Sequence, residues 1–114
     1  MTKHDAPTPD GSRGFEITTE RDPHGVRVRV VGELDIATAP ALDLELAAVA
    51  IDRDERVLID LDGVRFIDSS GISAVVRAKY AADRDGYRLT VRYSSPQVRR
   101  LLELTSMLEY LTFE

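Results

Sequence analysis

Val64-Arg65-Phe66-Ile67-Asp68-Ser69-Ser70-Gly71-Ile72 decides how this chain is read. An apolar run ends at Asp68. Two serines and a glycine follow, and apolar residues then resume at helical spacing, with Ile72, Val75 and Val76 on one face. A strand therefore passes into a helix through Asp68-Ser69-Ser70. Ser, Asp and Gly suit helix starts, because small polar groups there accept hydrogen bonds from N–H groups that have no partner within the helix. Asp-Ser-Ser-Gly alone is explained by a cap, so the surrounding chain has to decide whether the site does more.

Upstream, Val57-Leu58-Ile59-Asp60-Leu61 is a short, nearly continuous apolar run, as in a strand buried on both faces. Asp62-Gly63 reads as a turn from it into the opening stretch. Downstream, Lys79 interrupts the apolar stripe, but its stem can lie along apolar surface with the ammonium in water. Asp85-Gly86 ends this helix. Leu89, Val91 and Tyr93 alternate with Arg88, Thr90 and Arg92, which predicts another strand. Ser95-Pro96 opens a further helix, with Ser as cap and Pro at its first position. Val98, Leu101, Leu102 and Thr105 mark that helix's buried face. Leu108, Tyr110, Leu111 and Phe113 read as a short extended piece.

Towards the N-terminus, Phe15, Ile17 and Thr19 alternate with polar residues, and so do Val26, Val28 and Val30 with Arg27 and Arg29. Asp22-Pro23-His24-Gly25 between them is turn chemistry, so the two runs predict an antiparallel hairpin. Thr38-Ala39-Pro40 then looks like a helix start. The order Leu42-Asp43-Leu44-Glu45-Leu46 also fits a strand, but the alanines, the Pro and the length to Ala50 favour a helix burying Leu42, Leu46 and Val49. Residues 1–13 are polar and rich in Pro, Asp and Gly, and are expected to be a disordered tail. The domain is then 14–114. Strands alternating with helices predict an α/β fold with a mixed, mostly parallel sheet and helices covering one face.

The 114 residues suffice for one core and are too few for two. The net charge of −5 argues against nucleic acid and against anionic membrane surfaces, which both require a basic patch. With no Cys, disulfides and thiol chemistry are excluded. No stretch has the apolar length of a membrane span. Met1 to Pro7 lacks the apolar core of a secretory signal, so a cytoplasmic location is expected.

Serine hydrolysis fits poorly. The Gly-x-Ser-x-Gly elbow lacks its first Gly, and the only histidines, His4 and His24, lie in the tail and a turn. Asp60, Asp62 and Asp68 are more simply turn formers and caps than metal ligands, and a Walker loop is missing. No catalytic residue, metal or cofactor is assigned. What remains is a serine at a helix N-terminus on the loop edge of a sheet. That position suits a phosphate acceptor without requiring one.

Gly32-Glu33-Leu34-Asp35, Val57-Leu58-Ile59-Asp60-Leu61, Phe66-Ile67-Asp68-Ser69-Ser70-Gly71-Ile72 and Ser94-Ser95-Pro96-Gln97-Val98 occur in the order and spacing of STAS domains. Over Phe15 to Phe113 the chain resembles the stand-alone bacterial anti-sigma factor antagonists. Any one motif is weak, but all four in register make a specific signal. The resemblance implies a single STAS-type domain without enzymatic activity that binds an anti-sigma factor, itself a serine kinase, and so releases a sigma factor. It implies that Ser69, directly after the motif's Asp, is the phosphorylated residue, and that a serine phosphatase reverses the modification. Asp35 and Thr38, from the Gly-Glu-Leu-Asp loop, and Asp68, Ser70 and Gly71 are then the expected partner-binding residues. Asp35 fits a plain turn residue equally well, and Ser70 a capping neighbour. Two other readings remain open: an accessory STAS subunit of a transporter or signalling assembly that needs no phosphorylation, and a small-ligand-binding module. The chain departs from its relatives at Thr105-Ser106-Met107, where many have a glycine that stops the last long helix.

Overall fold

The computed structural model describes residues 2–4, 14–52 and 56–114. The expected hairpin is formed by β2 (Glu16–Asp22) and β3 (Gly25–Leu34). Its turn is built by Asp22, whose Oδ1 accepts the N–H of His24 at 2.7 Å and of Gly25 at 3.1 Å. Gly25 has φ +138°, and a Cβ there would lie 2.4 Å from the Arg56 carbonyl oxygen, so only glycine fits. A short strand, β1 (Thr2–His4), pairs antiparallel with β2 where the sequence led us to expect tail. Residues 5–13 of that expected tail lie outside the described residues.

Helix α1 (Ala39–Asp52) follows β3 and buries Leu42, Leu46 and Val49, which settles the choice between helix and strand there. β4 (Arg56–Ile67) leads into α2 (Ser69–Asp85), which ends at Gly86 in the left-handed conformation. β5 (Arg88–Tyr93), α3 (Pro96–Leu104) and a single turn, α4 (Met107–Tyr110), complete the chain. The sheet order is β1-β2-β3-β4-β5, with antiparallel pairs up to β3 and parallel pairs from β3 to β5.

Asp62-Gly63 is not a turn. β4 continues through it, and the pairing absorbs two extra residues: from Arg29↔Asp60 to Leu34↔Ile67, β3 advances five residues while β4 advances seven. Bulges of this kind bend a strand and re-aim its end. Gly63 makes room, since a Cβ there would come within 2.9 Å of Val31.

Alternation divides the sheet into two faces. Ile17, Val28, Val30, Ile59, Leu61 and Val91 enter one core with Leu42, Val75, Val98 and Leu102 from the helices. On the opposite face lie Arg27, Leu58, Asp60, Thr90 and Arg92. β4 is therefore enclosed on its second side by arginine stems and not by helices. Asp60 is fully buried there, and Oδ2 accepts from Arg27 Nε at 2.8 Å, with Arg27 Nη2 also bonded to it.

The C-terminus corrects a second expectation. Leu108 and Tyr110 are helical in α4, and only the last residues are extended: Phe113 bridges Val91, with Val91 N–H donating to the Thr112 carbonyl. The cause is Ser106, which takes the left-handed conformation (φ +62°) that a glycine would take after α3. It is the only non-glycine with positive φ among the described residues. Left-handed backbone costs an L-residue about 1–2 kcal/mol. Ser106→Gly is accordingly expected to stabilise the domain by about 1 kcal/mol and to raise the unfolding midpoint by roughly 4 °C. Thermal melts of the two proteins check this.

Candidate functional site

Ser69 is the first residue of α2 and is exposed. Its position is fixed by its neighbours on both sides. Asp68 is the N-cap: Oδ1 accepts the N–H of Ser70 at 2.9 Å and of Gly71 at 3.2 Å, and its backbone N–H donates to the Leu34 carbonyl at 3.2 Å. Leu34 and Ile67 are register partners and both are buried, so the ends of β3 and β4 are joined side by side. The loop after β3, carrying Asp35, and the loop after β4, carrying Ser69, therefore leave the same edge of the sheet. In open α/β sheets this carboxyl edge is where ligands and partners bind.

Gly71 brings α2 close enough for this arrangement. A Cβ at Gly71 would lie 2.6 Å from both the Leu34 carbonyl oxygen and Ile67 Cγ1. The glycine thus acts through close approach and is itself buried.

The Asp35 loop is held as firmly. Asp35 Oδ1 accepts the N–H of Ala37 at 3.0 Å and of Thr38 at 3.2 Å, and the Asp35 carbonyl accepts from Ala39 at 2.7 Å. Thr38 is only 1% exposed. Its hydroxyl donates to the Glu33 carbonyl at 2.8 Å and accepts the Asp35 N–H at 2.9 Å. Of the residues singled out in the sequence, Ser69, Ser70, Asp68 and Asp35 stand at this edge with surface exposed, whereas Thr38 and Gly71 shape it from within.

Three further residues belong to the site and were not singled out. Ile36, at the tip of the Asp35 loop, is 77% exposed, and Phe66, two residues before Asp68, is 41% exposed. The signal for Ile36 was an aliphatic residue in a turn otherwise made of Asp, Ala and Thr. Gln97 of α3 uses its amide as a strand would: Oε1 accepts the Ile67 N–H at 2.8 Å, and Nε2 donates to the Ile67 carbonyl at 3.0 Å. It satisfies the end of β4 where β5 no longer runs beside it, just before the Ser69 loop.

The three aspartates weighed as metal ligands have separate tasks. Asp60 pairs with Arg27, Asp62 accepts the Ser94 hydroxyl at 3.1 Å, and Asp68 caps α2.

Residues 17–112 match the family model described as Mlab, STAS domain. The chain belongs to the STAS domain family. A similar protein is the anti-sigma-B factor antagonist of Staphylococcus aureus, 29% identical over 93 residues that cover 82% of this chain and 86% of that one. Among solved structures, an anti-sigma factor antagonist from Mycobacterium paratuberculosis superimposes with a TM-score of 0.81 at 27% identity, covering 95% of this chain and 89% of the other. The anti-sigma factor antagonist SpoIIAA in its unphosphorylated form shares the fold, with a TM-score of 0.72 at 18% identity over 86% of this chain and 87% of that one. No helix among the described residues is long and apolar enough to cross a membrane.

Replacing a helical Gly with Ala ordinarily stabilises by up to about 1 kcal/mol. At Gly71 the sign should reverse, because the new methyl meets a backbone oxygen. Gly71→Ala is expected to destabilise by about 1–3 kcal/mol, and Asp68→Ala by about 1 kcal/mol through loss of the cap. Urea unfolding of both variants measures these changes.

Proposed function

We propose that this protein is an anti-sigma factor antagonist, acting in the cytoplasm without enzymatic activity of its own. It binds an anti-sigma factor that is also a serine kinase and thereby frees a sigma factor. Phosphorylation of Ser69 ends the binding, and a serine phosphatase restores it. The observation that carries this reading is an exposed serine on the first turn of α2, beside the Asp35 loop, in a chain whose relatives bear that name.

The binding surface on this reading centres on Ile36 and Phe66, with Asp35, Asp68, Ser69 and Ser70 around them. Exposed apolar residues of this size supply contact area at an interface, and the surrounding polar groups set specificity. Thr38 and Gly71 contribute by holding the loops.

A phosphate on Ser69 brings a charge of about −1.5 to −2 at neutral pH. The N–H groups of Ser70 and Gly71 that would otherwise receive it are already bonded to Asp68. The new charge therefore stands beside a carboxylate and depends on water for its solvation. In the free domain that water is available. In a closed interface it is lost, and repulsion from Asp68 and Asp35 adds to the cost. A loss of about 4 kcal/mol weakens binding roughly a thousandfold.

The experiment is incubation with the candidate kinase and ATP, followed by peptide mass mapping and by binding measurements with ADP present. One phosphate on Ser69, with affinity falling by about three orders of magnitude, is the expected result. Ser69→Ala should stay bound and resist ATP-driven release. Full phosphorylation of Ser69→Ala at Ser70, or equal affinity of the phosphorylated and unmodified forms, would contradict the assignment. Asp35→Ala should weaken binding and, because its carboxylate holds the N–H groups of Ala37 and Thr38, should also cost about 1 kcal/mol of stability, so binding is measured well below the variant's own melting temperature.

A further inference from the structure

The sheet face without helices holds a cavity of about 410 Å³ at the starting ends of β3, β4 and β5. Its wall includes Arg27, Arg56, Arg88 and Arg92, with Leu58, Thr90 and Phe113 lining it between them. β4 runs from this cavity at Arg56 to the Ser69 edge at Ile67, so the two regions lie at opposite ends of one strand.

The wall keeps a small positive excess, four arginines against the carboxylates of Asp60, Glu114 and Asp22. Arg27 is committed to Asp60, and Arg92 to Glu114. Asp22 Oδ1 accepts the turn N–H groups of His24 and Gly25, so this carboxylate stays on the rim and offsets one positive charge without pairing with an arginine. Arg56 and Arg88 remain. They are register partners on neighbouring parallel strands, and among the described residues neither guanidinium has an ion pair or hydrogen bond. Adjacent strands run about 4.8 Å apart, and like charges placed directly opposite are destabilising. Two unpaired guanidinium groups side by side are thus held in a chain of net charge −5.

We propose that this cavity binds a phosphate monoester carried on a small apolar or planar body. Two guanidinium groups without an ionic partner offer their planar donor forks to the oxygens of a phosphate monoester, and their charge outweighs that of Asp22 on the rim. Leu58 and Phe113 offer apolar contact to the body, and the Thr90 hydroxyl adds a donor. The volume lies in the lower part of the range for small-molecule sites, about 300–1,000 Å³. The site shares no residue with the Ser69 edge, and its existence does not depend on the protein's partner.

The same headgroup occurs in soluble metabolites and in lipids, so the test has two arms. Phenyl phosphate and inorganic phosphate are titrated into the ¹⁵N-labelled full chain, and co-sedimentation is measured with phosphatidate vesicles against phosphatidylcholine vesicles. Binding in either arm is expected to shift or protect the amides of residues 25–27, 56–58, 88–92 and 113. Arg56→Gln and Arg88→Gln should each weaken it at least tenfold while the amide spectrum of the core stays unchanged. Binding of phenyl phosphate alone assigns a soluble ligand; binding of phosphatidate vesicles alone assigns a lipid headgroup. No binding in either arm, shifts confined to other residues, or unchanged affinity in both variants would overturn the proposal.

Discussion

The geometry of the Ser69 edge rests on one close approach. The first turn of α2 lies so near the end of β3 that position 71 has no room for a side chain. The Asp68 N–H reaches the Leu34 carbonyl, and Leu34 and Ile67 seal the contact from the core side. Cores transmit such constraints because they are packed at crystal-like density. A wider spacing at Gly71 would separate the Asp35 loop from Ser69, and the two would cease to form one surface. Gln97 supports the same junction from α3, by holding both backbone groups of Ile67.

The rest of the sheet is organised to keep that junction in place. β4 is the central parallel strand, paired along most of its length on both sides. One face is covered by helices. On the other, Asp60 is buried beneath Arg27, with Arg92 Nη1 4.0 Å away. Burying an ion pair contributes little net stability, but removing one partner would leave an uncompensated charge. The pair ties β3 to β4 across the diagonal from Arg27 to Asp60, and the two bulged residues beyond it bend the end of β4.

Much of this was legible in the sequence. The alternation of Val26, Val28 and Val30 with arginines gave the hairpin strand, and Ser95-Pro96 gave the start of α3, because these signals depend on neighbouring residues alone. The Asp-Ser-Ser-Gly stretch gave the strand-to-helix passage, and the four motifs in register gave the family. What could not be read depended on contacts between distant segments. Asp62-Gly63 has turn composition, yet pairing with β3 carries the strand through it. The resemblance marks Thr38 as a partner contact, but its hydroxyl is enclosed by Glu33 and Asp35. The role of Gly71 as a spacer needs Leu34, 37 residues earlier in the chain. Ser106 replaces an expected glycine without changing the turn, a matter of energy that a residue pattern does not reveal.

On the proposed reading, phosphorylation of Ser69 acts on a preformed surface and leaves the fold alone. Backbone amide shifts of the ¹⁵N-labelled domain, before and after phosphorylation of Ser69, test it most directly. The account predicts changes confined to residues 33–38 and 66–73, with the amides of β5 and α3 unmoved. Changes spreading through β5, α3 and the buried face of α1 would mean that the phosphate refolds the domain, and would contradict the account.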